Sequence, residues 1–186
     1  ILVVSLLPTA VWAAGTGISD FFANFDDILV AETEPGSPSS TKKWTTTTYN
    51  GETVLISGNK GKDSTSSTLQ LSFKTATHAS FEYKVSTEKK WDKVNIKLGS
   101  TPLVEDASGE IDWTVCEFDA EQNDILTIVY KKDSGGDSGD DCVYLRNFSC
   151  GTPIVVTLHA NNGTNDTKTQ NIYGGKGTLN ANTFTC

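Results

Sequence analysis

The sequence predicts an all-β fold, built as an antiparallel sandwich of two sheets. Apolar and polar side chains alternate with a period of two in several segments, which places each class on one face of a strand. Clusters of Gly, Ser, Asn and Asp separate these segments and predict tight turns. No segment shows the 3.6-residue apolar period with caps that would predict a long helix.

The regular pattern runs from Trp44 to Cys150, and we predict one β-sandwich domain over residues 44–150. The alternating apolar residues are expected to face its core. They are Leu69, Leu71 and Phe73; Ala79, Phe81, Tyr83 and Val85; Val94, Ile96 and Leu98; Trp113 and Val115; and Leu126, Ile128 and Tyr130. Turns are predicted at 57–61, 99–100, 108–109 and 133–141.

The first 43 residues predict export and then a connection. Residues 1–14 place small residues after an apolar stretch and Pro8, which is the order found at a signal peptide cleavage site, so we predict a truncated signal peptide. Residues 15–43 contain a Pro/Gly/Ser cluster and are predicted as a linker or leading segment. The chain has no Met, and we expect a fragment of a longer protein. No later apolar run is long enough to span a membrane.

An ordered series of short motifs lies within the predicted sandwich. The stretches are 52–58, 79–88, 109–113, 130–133 and 139–147. In this order they resemble the jelly-roll-like β-sandwich modules of bacterial surface and secreted proteins. The resemblance implies a non-catalytic extracellular surface module with an adhesion or spacer role, located outside the cell or at the bacterial cell surface. The family usually has Asp where this chain has Arg146; in related modules such an acid can hold calcium, so the departure weighs against that metal.

The pattern resets near Pro153, which cannot donate a hydrogen bond to a central strand. Val156, Leu158 and Ala160 then alternate, and residues 167–173 could return as a hairpin. Residues 153–186 are similar to the start of a Listeria–Bacteroides repeat, the B-repeat of internalin-type surface proteins. This similarity implies a partial β-grasp-like repeat and further repeats in the intact protein.

The chemistry-bearing residues do not assemble into a recognisable catalytic motif. Gly136-Asp137-Ser138-Gly139 matches the nucleophile motif of chymotrypsin-like proteases, and His78 lies in a faint echo of their His motif. However, the two are too close in sequence for two barrels, and a motif needs its structural context. We therefore predict no catalytic residue, no cofactor and no enzyme, and a solvated hairpin at this loop.

The same loop holds four carboxylates, which are the hard oxygen ligands that calcium prefers. They are Asp133, Asp137, Asp140 and Asp141. Their spacing fits neither an EF-hand nor a Gly-Gly-x-Gly-x-Asp repeat, so we predict no metal site, with calcium as the alternative. Asp141 is expected to cap amides at the start of the last strand. The cysteines leave a Cys116–Cys142 bridge, a Cys142–Cys150 bridge and free thiols all open.

The best candidate for ligand binding is Trp91, because it lies in a further turn predicted at 88–91, whereas Trp44 and Trp113 are expected in the core. An exposed indole can stack on a sugar ring, so the alternative function is a carbohydrate-binding module, accessory to a secreted hydrolase. The expected partners are cell-surface glycans or host and cell-wall components. The formal net charge of -8 argues against nucleic acid.

Overall fold

The computed structural model of the chain describes residues 18–22, 28–31, 42–151, 154–160, 163 and 165–172. Two five-stranded antiparallel sheets and a separate two-stranded hairpin account for its regular structure, together with one four-residue helix. The prediction of an all-β antiparallel sandwich is confirmed. Within the described residues, no helix is long and apolar enough to cross a membrane.

The elements follow one another along the chain in a simple order. They are α1 (Ile18–Phe21), β1 (Ile28–Ala31), β2 (Thr45–Tyr49), β3 (Glu52–Ile56), β4 (Ser66–Phe73), β5 (Thr77–Ser86), β6 (Lys93–Leu98), β7 (Thr101–Ala107), β8 (Glu110–Ala120), β9 (Ile125–Lys131), β10 (Cys142–Gly151), β11 (Ile154–His159) and β12 (Thr167–Ile172). The first sheet has the strand order β1-β4-β9-β6-β7, and the second has the order β2-β3-β10-β5-β8. We call them sheet A and sheet B.

The apolar core lies between the two sheets. Sheet A supplies the alternating apolar residues of β4, β6 and β9, and sheet B supplies those of β3, β5, β8 and β10. Phe81, Tyr83, Ile96 and Ile128 are all buried, as the alternation predicts. Each fully buried side chain of this size stabilises the fold by roughly 1.5–3 kcal/mol, so the shared interior dominates the stability of the sandwich.

The sandwich begins before Trp44, the start that the sequence predicts. Strand β1 pairs antiparallel with β4, from Ile28 opposite Phe73 onward. Phe21 and Phe22 are buried, and the ring centroid of Phe22 lies 4.9 Å from that of Phe148. The segment 15–43 is therefore more than a linker, because Phe21 and Phe22 belong to the core. The predicted signal peptide, residues 1–14, lies outside the described residues.

Strand β8 departs from the predicted alternation. The pairing of β5 with β8 shifts register between Tyr83 and Val85, and Cys116, Phe118 and Ala120 point inward. A bulge adds a residue to one strand and so moves later side chains to the other face. As a result Val115 is 59% exposed and Trp113 packs on the outer face of sheet B, so the prediction that both face the core is wrong.

Beyond the sandwich, β11 and β12 form an antiparallel hairpin in the register Ile154 opposite Ile172. This agrees with the predicted return at 167–173 over its described part. The partial β-grasp-like repeat at 153–186 stays a prediction, because the structure describes only this hairpin and a few neighbouring residues there.

Candidate functional site

Trp91 lies in the turn that joins β5 to β6, and its side chain is 62% exposed. By contrast Trp44 is 1% exposed, as the sequence predicts for a core residue. The structure therefore places the indole of Trp91 in solvent, as expected for a turn position. Its role in binding a ligand stays a prediction.

The residue after Trp91 fixes the turn. Asp92 is completely buried, and its Oδ2 accepts hydrogen bonds from Thr87 Oγ1 at 2.8 Å and Tyr130 Oη at 3.2 Å. Its Oδ1 accepts one from the backbone N–H of Asp133 at 3.0 Å. Both carboxylate oxygens are thus satisfied inside the protein. The backbone that carries the exposed indole is anchored to the core at the next residue.

A second anchor holds the other side of the turn. Lys90 has a backbone φ of 81°, a conformation that costs energy for a residue with a side chain. Its N–H donates a hydrogen bond to Ser108 Oγ at 3.1 Å, which ties the turn to the β7–β8 connection. The turn is therefore attached to the rest of the domain on both sides of Trp91.

Beneath the turn lies a buried polar network centred on Tyr130 and Lys132. Tyr130 Oη contacts Thr87 Oγ1 at 2.7 Å, and its one hydroxyl proton is shared between Asp92 Oδ2 and Asp141 Oδ1, which lies 3.1 Å away. Burial raises the pKa of Tyr130 well above its usual range, so the hydroxyl stays protonated. Burial alone would lower the pKa of Lys132, but hydrogen bonds to Asp137 and Asp141 raise it, so the ammonium stays charged.

The acidic loop at 133–141 is organised around that ammonium. Lys132 Nζ donates to Asp137 Oδ1 at 2.7 Å and to Asp141 Oδ2, and it lies 3.4 Å from Asp63 Oδ1. In the part of the chain that the structure describes, no group of three or more His, Cys, Asp or Glu side chains is arranged to hold a metal ion. The positive charge among these carboxylates comes from the ammonium of Lys132.

Two further details of this loop differ from the sequence-based expectation. Asp141 Oδ2 accepts a hydrogen bond from the N–H of Gly61 at 2.6 Å, so the carboxylate caps the β3–β4 loop and not the start of the last strand. Sequence reasoning also missed Lys132, which is buried, whereas its neighbour Lys131 is exposed. The buried residues of β9 are at even positions, and Lys132 continues this alternation one residue beyond the strand. That alternation is the one sequence signal that distinguishes the two lysines.

The residues of the protease-like motif do not meet. His78 is near the start of β5, where its Nδ1 lies 2.7 Å from Asp119 Oδ1. The loop that carries Ser138 is anchored at the other end of this strand, since the N–H of Asp140 donates to Ser86 Oγ at 2.7 Å. A ten-residue strand is roughly 30 Å long, so His78 and Ser138 cannot form a catalytic pair.

A second feature is an aromatic cluster on the outer face of sheet B, formed by Tyr49, Trp113, Tyr144 and Arg146, which we call the outer aromatic cluster. The Tyr49 ring centroid lies 4.9 Å from that of Tyr144, and Arg146 Cζ lies 4.0 Å from the Trp113 ring centroid. Arg146 also donates to Glu82 Oε2 at 2.7 Å and to Glu52 Oε2 at 2.8 Å. Its groups are satisfied by one another, which is the pattern of a structural cluster.

The structure also decides between the disulfide alternatives. Cys116 packs in the core, whereas Cys142 packs with the cluster on the outer face of sheet B, so the two cannot form a bridge. Both are free thiols. Cys142 and Cys150 lie near opposite ends of the same extended strand, far beyond the roughly 7 Å between Cα atoms that a disulfide allows. Burial raises the pKa of Cys116 and of Cys142 to about 11.

Comparisons with known proteins find little sequence similarity. No protein-family model matches the chain, and no curated protein sequence matches it. Among solved structures, the chain is similar to a secreted serine protease, VesC, from Vibrio cholerae, at 15% identity and a TM-score of 0.46, covering 61% of this chain and 27% of that one. It is also similar to a GH26-CBM35 β-(1,4)-mannanase from Podospora anserina, at 16% identity and a TM-score of 0.29, covering 74% of this chain and 32% of that one. The chain thus spans about a third or less of each of these two proteins.

Proposed function

We propose that the chain is a non-catalytic carbohydrate-binding module of an extracellular protein, and that Trp91 is the platform on which a sugar ring stacks. The observation that carries this proposal is the 62% exposed indole on a turn whose backbone is fixed by the buried Asp92. An indole presents a large flat apolar face together with an N–H donor. Those properties match a sugar, which has an apolar C–H face and a rim of hydroxyl groups.

The fixed backbone supports binding and not merely exposure. A flexible loop loses conformational entropy when it binds, and this loss reduces the affinity. Here the contacts of Asp92 with Thr87 and Tyr130 hold the turn before binding. The hydrogen bond from Lys90 to Ser108 adds a second attachment. The conformational entropy of this turn is therefore lost during folding and not during binding.

A surface or secreted location and an adhesive role form part of the same proposal. An adhesive module needs a rigid body and a projecting contact, and here these are the two-sheet sandwich and the Trp91 turn. The partners that we propose are glycans of a cell surface or cell wall. The net charge of -8 disfavours nucleic acid as a partner, because binding it requires an extended basic surface that contacts many phosphates at once.

The test is a glycan array on the full chain, followed by calorimetry on each polysaccharide that binds. Trp91→Ala is expected to weaken binding at least tenfold, and Trp91→Phe is expected to retain part of the affinity because an aromatic face remains. Val115→Ala is the matched control, since this side chain is 59% exposed on a different surface. Equal binding by wild type and Trp91→Ala would contradict the proposal.

A spacer role is the second candidate, and the position of β10 favours it. This strand lies in the middle of sheet B, where it is bonded to β3 on one side and to β5 on the other. It also leads directly to the hairpin β11–β12, so a pull on the C-terminal side would load two strand pairings. A wild-type chain that binds no glycan, yet resists proteolysis across residues 42–151, would favour the spacer role.

A further inference from the structure

We infer that the glycan held at Trp91 is anionic, with carboxylate or phosphate groups that Lys89 and Lys90 bind. The inference rests on the proposed function and names its ligand class. The two lysines come directly before Trp91 in the same turn, and both are exposed. They place two positive charges beside the indole on a chain whose net charge is -8.

The two lysines differ from nearby lysines in having no acidic partner among the described residues. Lys93 Nζ lies 2.9 Å from Asp106 Oδ2, and Lys84 Nζ lies 3.2 Å from Asp112 Oδ1. Lys89 and Lys90 make no ion pair with any described residue. Their ammonium groups therefore remain available to a negative group on a ligand.

The acidic residues of the turn face the protein, away from these ammonium groups. Asp92 is fully buried, and both of its oxygens accept hydrogen bonds. Glu88 Oε2 is buried, and it lies 2.6 Å from the position that a Cβ atom on Gly136 would occupy. Burial and the neighbouring Asp133 raise the pKa of Glu88, which reduces its negative charge in acidic solution. Lys89 and Lys90 are therefore the charged side chains that the turn itself exposes to solvent.

The lysines are also placed by the backbone. The side chain of Lys89 lies over Gly109. A Cβ atom added to Gly109 would be 3.3 Å from both Cβ and Cγ of Lys89. The hydrogen bond from Lys90 to Ser108 fixes the neighbouring peptide. An ammonium at the end of a packed stem is a compact charge that binds carboxylate and phosphate oxygens. A sugar on Trp91 that carries such a group would meet both charges.

The experiment measures binding of the full chain to three polymers by calorimetry at low and at high salt. Polygalacturonate supplies carboxylates, glycerol-phosphate teichoic acid supplies phosphates, and galactomannan is neutral. At low salt we expect an anionic polymer to bind more tightly than galactomannan. Lys89→Ala/Lys90→Ala is expected to weaken that binding roughly tenfold, and added salt is expected to weaken the wild type more than this variant.

The matched control is Lys62→Ala/Lys97→Ala, which removes the same charge from two exposed lysines outside the turn and is expected to change binding less than twofold. Trp91→Ala distinguishes a failure of the anionic inference from a failure of the proposed function. If galactomannan binds as tightly as the anionic polymers and depends on Trp91 but not on the lysines, the anionic inference is wrong and the proposed function stands. If no polymer depends on Trp91, the proposed function itself is wrong.

Discussion

Tyr49 and Trp113 lie on strands at opposite edges of sheet B, yet their ring centroids are 5.7 Å apart with an interplanar angle of 82°. Four strand spacings would separate these edges by roughly 19 Å in a flat sheet. The contact arises because β3 pairs with β10 only at Leu55 and Ile56, after which the β2–β3 hairpin leaves the ladder. The hairpin thus brings Tyr49 over the outer face of the sheet.

Arg146 is expected to hold this arrangement together, because it joins the hairpin to two other strands. It bonds Glu52 on β3 and Glu82 on β5, and it stacks on Trp113 of β8. Arg146→Ala should lower the free energy of unfolding by about 1–2 kcal/mol, the sum of a cation–π contact and partly exposed ion pairs. Urea denaturation measures the loss.

The control for Arg146 is Lys93→Ala, which breaks the exposed pair with Asp106 and should cost less than about 1 kcal/mol. A double-mutant cycle between Arg146→Ala and Trp113→Leu should give a coupling of about 0.5–1 kcal/mol. Additive single effects would mean that the guanidinium and the indole do not interact in solution.

Lys132 should be far more important for stability than the lysine before it. Its ammonium is buried against Asp137 and Asp141, and removing one partner of a buried ion pair leaves the other charge without compensation. Lys132→Met is therefore expected to cost about 3–5 kcal/mol in the free energy of unfolding. Lys131→Met, at the exposed neighbour, should change it by less than about 0.5 kcal/mol. Equal effects of the two substitutions would exclude the buried network as described.

The buried thiols predict how stability depends on pH. Burial raises the pKa of Cys116 and Cys142 from 9.0 to about 11, so the folded state keeps both protons after the unfolded state has begun to lose them. Their contribution is fully present below pH 9 and is lost as the pH rises from about 9 to 11. Cys116→Ala/Cys142→Ala should flatten the fall in unfolding free energy over this window, relative to wild type. An unchanged slope would show that other groups cause it.

The same burial predicts how the thiols react with an alkylating reagent. The thiolate is the reactive form, and both thiols are protonated and buried at pH 8. Iodoacetamide should leave Cys116 and Cys142 unmodified in the native chain and should modify both in urea. Peptide mass spectrometry locates the modified residues. Rapid labelling of Cys142 in the native chain would mean that the β2–β3 hairpin opens readily.

The sequence predicts the sandwich where a strand alternates without interruption. Phe81 and Tyr83 on β5, and Ile96 on β6, are buried as expected, because the period of two reports directly on which face is dry. The alternation fails at β8, since the bulge that exposes Val115 depends on the partner strand and leaves no local signal. It also gives no sign that Phe22 packs on Phe148, because that contact joins residues far apart in the chain.

The candidate site could be predicted only at its surface. Trp91 follows a charged run at 88–90 that separates two alternating segments, so a turn and an exposed position are expected from the local sequence. The network beneath it joins Thr87, Asp92 and Tyr130, which come from different parts of the chain. The role of Arg146 is similarly hidden, because its partners Glu52 and Glu82 become neighbours only after the strands pair. Such contacts are set by sheet order, which alternation alone does not specify.

The contrast between Trp91 and Trp44 tests whether the exposed indole has a structural function. Trp44 is 1% exposed, and Trp44→Ala should cost about 3–5 kcal/mol in unfolding free energy because a large cavity remains. Trp91→Ala should change that free energy by less than about 0.5 kcal/mol, since the ring is mostly in solvent and the turn is held by Asp92. A loss above about 1 kcal/mol in Trp91→Ala would mean that the indole packs against the protein. In that case reduced glycan binding by the variant would reflect a disturbed fold. The exposure of Trp91 would then no longer support its role as a platform for a ligand.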